Sequence, residues 1–254
     1  MKKIFLRVFP LLFCAVLLFS ACAKAPKMTY RDGEFAVDGM SVRFEAAPAY
    51  YEAKAYLEDK PVARLVQGEM ADLLFYEIEG VSSEKMISSA NYELFCAVGT
   101  KLPELWEMSA TKAYVCQTAS VSYSVATLEG EQALAALIGP YQNAPAFSAK
   151  EIDPSIGKDK YDLKFESSLY QGFYYCLTYW QFEKDVVIYQ DIDDPDRFDV
   201  LYPGVAMKVN AYENAEDGYY VEYNFGKYIL HNRTTGTCRA IGDTVALLLE
   251  NTAK

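Results

Sequence analysis

His231 is the only histidine in 254 residues. It closes the run KYILH and stands just before NRTTG. A histidine can act as general base beside a nucleophile, but no G-x-S-x-G accompanies it, and its setting reads as a residue at the end of a hairpin strand. Ser-x-x-Lys spacing occurs at Ser82/Lys85, Ser109/Lys112 and Ser155/Lys158. The Lys-Thr-Gly and separate Ser-Asp-Asn partners of an acylating serine are missing. Neither G-x-G-x-x-G nor G-x-x-x-x-G-K-[ST] is present, so no phosphate cradle is expected. No catalytic residue and no organic cofactor is assigned.

Oxygen ligands are better represented. Asp191, Asp193, Asp194, Asp196 and Asp199 crowd one short stretch, and hard carboxylate oxygens are what a calcium ion takes. The EF-hand register fails, because Asp196 stands where the loop needs glycine and Tyr202 where it needs glutamate. Calcium is therefore a weak expectation. The plainer reading is a hydrated hairpin loop whose charges keep a sheet edge from pairing with other chains.

Aromatic side chains are the unusual feature of the composition, with 21 tyrosines. They concentrate in QGFYYCLTYWQF, residues 171–182, and around Tyr219 to Tyr228. Exposed rings among Tyr174, Tyr179, Trp180, Tyr219 and Tyr223 could stack on sugar rings or meet a protein partner. Both alternating faces of the first run are apolar, however. That predicts a central strand covered on each side, its rings forming core and cross-strand pairs.

The elements that must position these residues are mainly strands. Met40, Val42 and Phe44 alternate with polar neighbours, as do Val121, Tyr123 and Val125, then Val205 to Ala211, and Tyr219 to Phe225. Each predicts a strand with one buried and one wet face, the habit of antiparallel sheets. Asp32-Gly33, Asp38-Gly39, Asp217-Gly218, Gly226 and Thr235-Gly236 supply turn signals between them. Helices are expected at Glu131–Ile138, stopped by Gly139-Pro140, and at Thr244–Glu250 behind Asp243, with a weaker pattern over Ser83–Ala90. The fold class expected is α+β: strand-dominated antiparallel sheets with a few short helices, in two subdomains. These are 31–139 and 161–254, joined by a proline-bearing linker at 140–160.

The N-terminus follows a different logic. Lys2, Lys3 and Arg7 precede an apolar run from Val8 to Phe19, and Ser20-Ala21 lead into Cys22. That is the layout of an export signal. Its twelve apolar residues fall short of the roughly 18–20 that span a bilayer as a helix. The stretch LLFSAC resembles the lipobox of bacterial lipoproteins, with Phe19 where an aliphatic residue is usual. The resemblance implies cleavage after Ala21 and acylation of Cys22. Residues 1–21 would then be signal peptide and 22–30 a tether, on the extracytoplasmic face of a bacterial membrane. A diacylglyceryl group with an amide-linked acyl chain is enough for stable anchoring.

Loss of the leader takes the net charge from −11 to −14. A chain this acidic is repelled by phosphate backbones, so nucleic acid is excluded as a partner. Four cysteines remain, Cys96, Cys116, Cys176 and Cys238. Two disulfides are allowed outside the cytoplasm, and the pairing Cys96–Cys116 with Cys176–Cys238 keeps each bridge local; four buried thiols are the alternative. The function expected is non-enzymatic binding of a protein or cell-wall glycan. The rival is a glycan hydrolase working through an Asp/Glu pair, which leaves no short motif.

Overall fold

The computed structural model describes residues 25–66, 73–117, 123–144, 146–148, 159–193, 198–201, 220–232 and 237–252. The chain forms two compact units, Met1–Leu102 with Gln171–Phe173, and Pro103–Tyr170 with Tyr174–Lys254. Strands dominate both, as the alternation predicts.

The first unit contains β1 (Lys27–Arg31), β2 (Glu34–Val37), β3 (Arg43–Ala46), β4 (Tyr51–Ala53), β5 (Tyr56–Leu65), β6 (Leu73–Ile78), β7 (Met86–Ser89) and β8 (Leu94–Ala97). Seven of these close into a barrel in the order β1-β2-β3-β8-β7-β6-β5. Closure comes from a short parallel pairing of β1 with β5, Lys27 opposite Arg64 and Met28 opposite Leu65. Each of these strands gives one buried side chain to the central cluster, Met28, Val37, Phe44, Ala63, Phe75, Ile87 and Phe95, with half-buried Phe35, Val62, Leu65 and Leu73 packed against it. Phe75 and Phe95 meet edge to face at 4.9 Å, the geometry aromatic quadrupoles prefer. Asp32 and Gly33, at φ 54° and 88°, make the two-residue loop between β1 and β2. Two positive φ angles match the twist of flanking strands, which is why Asp-Gly is read as a hairpin signal. Pro61 sits at a shift of register between β5 and β6. A residue without an N–H is tolerated at such an irregularity.

The barrel itself was not expected, because alternation marks which face is buried and not which edges meet. The helix expected at Ser83–Ala90 is a turn followed by β7. Ile87, Ser88 and Ser89 are all buried there, and β7 pairs on both sides, with β6 and with β8. Tertiary pairing overrides a weak local pattern.

The second unit carries β9 (Ala110–Gln117), β10 (Tyr123–Glu129), β11 (Ala146–Ser148), β12 (Asp159–Ser167), the body of β13 (Phe173–Asp191), β14 (Phe198–Leu201), β15 (Tyr220–Asn232) and β16 (Thr237–Ala240). The sheet runs β10-β9-β12-β13-β15-β16-β11, with β14 on the far half of β13. As its two apolar faces predict, β13 is central: Tyr175, Leu177 and Tyr179 are buried on one face, Thr178, Trp180 and Phe182 on the other. β10 departs from its predicted pattern. It is an edge strand, and Tyr123 and Val125 are exposed. Val121 and the strand expected at Val205–Ala211 lie outside the described residues.

Among the described residues this unit also carries two α-helices, α1 (Glu131–Asn143) and α2 (Asp243–Thr252). Leu134, Leu137 and Tyr141 of α1 are buried, as are Val245, Ala246 and Leu249 of α2. The expected stop at Gly139-Pro140 does not end α1, which continues through Pro140 to Asn143. Arg239 explains the extra turn. Its guanidinium donates to the carbonyls of Gln142 and Ala144 and lies 5.4 Å over the ring of Tyr141. A cation on the last carbonyls satisfies acceptors that a helix end otherwise leaves open. The expected linker at 140–160 therefore holds the end of α1, all of β11 and the first residues of β12. The two compact units divide elsewhere, at Leu102–Pro103.

Candidate binding surface

Tyr56, Tyr76 and Tyr92 form a ring cluster on the outside of the barrel. Phe75 points to the core, so its neighbour Tyr76 points outward. Tyr56 pairs with Ile78, two residues further along β6, and shares that outer face. The rings of Tyr56 and Tyr76 stack at 4.8 Å with 26° between planes. Tyr92 adds a third ring 5.1 Å from Tyr56 and is 42% exposed.

Tyr92 reaches this place through an unusual backbone. Its φ is 63°, the left-handed region, which costs a non-glycine residue about 1–2 kcal/mol. The turn Ser89–Glu93 holds it there. Tyr92 N–H donates to the Ser89 carbonyl at 3.1 Å, and Ala53 N–H donates to the Tyr92 carbonyl at 2.9 Å. Ser89 Oγ accepts from the amides of Asn91 and Glu93 and donates to Glu93 Oε2 at 2.8 Å. One hydroxyl thereby fills its one donor and two acceptor sites. Backbone strain held by surrounding bonds is found at functional positions more often than elsewhere.

The cluster's electrostatics are acidic. Burial, followed by the neighbouring Tyr92, Glu58 and Tyr76, raises the phenol of Tyr56 above its ordinary value. Tyr56 Oη donates to the Ala90 carbonyl at 3.2 Å, which ties β5 to the turn. What the surface offers is electron-rich ring faces beside the Glu58 carboxylate. Such faces take C–H groups or cations and disfavour anions.

The aromatics singled out from the sequence are placed differently. Tyr179 is 0% and Trp180 3% exposed, so neither presents a face to a ligand. Tyr174 is half-buried, edge to face with Tyr114 at 5.8 Å. Tyr223 lies in β15 opposite Ile188, and Tyr219 lies outside the described residues. Density of rings in sequence marked the centre of a sheet. The surface cluster comes from three separated tyrosines, Tyr92 exposed and Tyr56 and Tyr76 half-buried, and its only local signal is the turn sequence SSANYE, with a ring where Asn or Gly is usual.

Register brings the remaining candidates into one row across the second sheet: Cys116, Asp162, Thr178, His231 and Cys238. Thr178 Oγ1 donates to Asp162 Oδ1 at 3.1 Å, and His231 stacks on Trp180 at 4.4 Å. Asp162 and His231 are two strand spacings apart, about 10 Å, too far for a proton relay. Burial pushes the Cys238 thiol up to about 12, so it stays protonated and is no nucleophile for its neighbour His231. Cys96, Cys116, Cys176 and Cys238 form no disulfide, so of the two states the sequence left open the structure has the thiols, with Cys176 half-buried and the other three buried. Cys96 is likewise held at about 12, by burial first and Glu45 second.

Of the acidic stretch, Asp191 ends β13 opposite Tyr220, Asp199 lies in β14 opposite Tyr189, and Asp193 is exposed. Asp194 and Asp196 fall outside the described residues, as does Cys22. Among the described residues no group of three or more His, Cys, Asp or Glu side chains could hold a metal ion. In comparison with known proteins the chain matches no family model, no curated protein and no solved structure.

Proposed function

We propose that this protein is a bacterial surface lipoprotein, acylated on Cys22 and held on the extracytoplasmic face of the membrane, with a binding role outside it. Its ligand is a cell-wall glycan or a protein, taken on the ring faces of Tyr56, Tyr76 and Tyr92. The observation that carries this reading is Tyr92 at φ 63°, an exposed ring kept in a costly conformation by four backbone and side-chain bonds. A purely structural turn would carry Asn or Gly at that position without the cost. Sugar rings present C–H groups on their faces, which suit the negative face of an aromatic ring.

The test is co-sedimentation of the mature domain, made with Cys22→Ala to keep it in solution, with purified peptidoglycan. The parent domain is expected to pellet with the glycan, and the Tyr56→Ala/Tyr92→Ala double variant to lose at least tenfold in apparent affinity. Equal pelleting of parent and variant removes the tyrosines from the account. Turnover of the glycan, lost on replacing a particular Asp or Glu pair, would replace the binding role with the hydrolase alternative.

A further inference from the structure

We infer that the barrel of the first unit lies directly against the bilayer surface, with the end formed by Lys27, Asp38, Met40, Val42, Arg43 and Val98 facing the lipid head groups. This rests on the acylation of Cys22 proposed above. The fold begins almost at once after that residue. Ala25 is buried, and the Pro26 carbonyl accepts the Arg64 N–H at 2.9 Å, so both already belong to the barrel. Only three peptide units separate Cys22 from Ala25, a reach of at most about 11 Å when fully extended.

Hydrogen bonds define the end that this short tether brings down. Asp38 N–H donates to the Lys27 carbonyl, and Val98 N–H donates to the Arg43 carbonyl, each at 2.9 Å. The start of β1, the turn after β2, the start of β3 and the end of β8 are therefore one rim. Val98 lies three strand spacings from β1, about 14 Å across. The opposite end carries the Asp32-Gly33 turn, a five-residue strand or about 17 Å away.

The rim mixes charged and apolar groups. Lys27 and Arg43 are exposed, with Asp38 beside them, Glu34 paired to Arg43 at 2.9 Å, and Glu45 accepting from the Gly99 amide at 3.3 Å. A zwitterionic head-group layer can meet both signs of charge, which a wholly anionic surface could not. Val98 is 46% exposed, and Met40 and Val42 are half-buried, packed against the core cluster. An apolar side chain beside a cation fits the boundary of head groups and acyl chains.

The experiment uses the full acylated protein in phosphatidylcholine vesicles that contain lipids with a nitroxide on the head group. A fluorophore is placed at Val98→Cys or Met40→Cys on the rim, or at Asp32→Cys on the far turn, with the unsubstituted parent as the blank for its own thiols. Intact mass of the N-terminal peptide first reports whether Cys22 is acylated. The expected result is quenching at positions 98 and 40 at least threefold stronger than at 32, reduced to the same level by a twenty-residue Gly-Ser insertion between Lys24 and Ala25. A peptide without acyl groups overturns the anchor reading, and the docking with it. Acylated, vesicle-bound protein with equal quenching at both ends overturns the docking alone.

Discussion

The strongest statement at the scale of single residues concerns Tyr92. A tyrosine at φ 63° gives up stability for the placement of its ring. Tyr92→Gly should leave the urea midpoint unchanged or higher, within about 1 kcal/mol, while ligand binding falls at least tenfold. A large loss of stability would make the residue structural. Ser89→Ala should act in the opposite sense. It strips the partner from the amides of Asn91 and Glu93, in a turn exposed to water from Ala90 to Glu93, and should cost about 1 kcal/mol in the same denaturation. Neither residue was legible in the sequence as a site residue. Single-sequence patterns report burial periodicity, whereas Tyr56, Tyr76 and Tyr92 meet only because β5, β6 and the turn before β8 are brought together in three dimensions. The tyrosines that the sequence made conspicuous, Tyr179 above all, are conspicuous because the middle of a sheet must be covered on both faces.

Among the elements, hairpins and helices that rest on local chemistry were legible. The Asp32-Gly33 loop follows from turn geometry alone, and α2 from its apolar spacing, although its first residue is Asp243 itself and Gly242, not Asp243, accepts the first helical bond. What was missed depends on distant partners. The extra turn of α1 depends on Arg239, almost a hundred residues away. Arg239→Ala should destabilise the second unit by about 1–2 kcal/mol, with Arg239→Lys recovering part of it, because an ammonium can also donate to carbonyls but lacks the flat guanidinium that lies over Tyr141. Gly172 makes the same point in the first unit. It has φ 90°, and a methyl there would sit 2.4 Å from Val81 Cγ2. Lys54 N–H donates to its carbonyl at 2.9 Å. Gly172→Ala should cost about 2 kcal/mol or more, read as an earlier urea midpoint.

For the whole molecule, the strand-dominated character was plain from alternation, and the closure of seven strands into a barrel was not. Closure rests on one parallel pairing, Lys27 and Met28 with Arg64 and Leu65, and nothing in either segment names the other. Thiol and phenol ionisation give this scale its own prediction. Burial holds Cys96 and Cys238 at about 12 against an ordinary 9.0. A hydrogen bond to Glu166, then burial, raises Tyr114 to about 12 from 10.0. Groups whose folded values are raised favour the folded state fully below their unfolded values, and that contribution is lost as pH climbs toward the folded ones. Stability should therefore be level with respect to these groups below pH 9 and fall between pH 9 and 12, checked by urea midpoints across that range. The central claim is that an anchored domain binds through a tyrosine cluster whose exposed member is Tyr92. It is tested most directly by titrating soluble peptidoglycan fragments into the parent domain and into Tyr92→Gly, with the urea midpoint of each measured alongside. Saturable binding to the parent, lost in a variant that is at least as stable, is the result expected. Undiminished binding by Tyr92→Gly, or none by the parent, contradicts it.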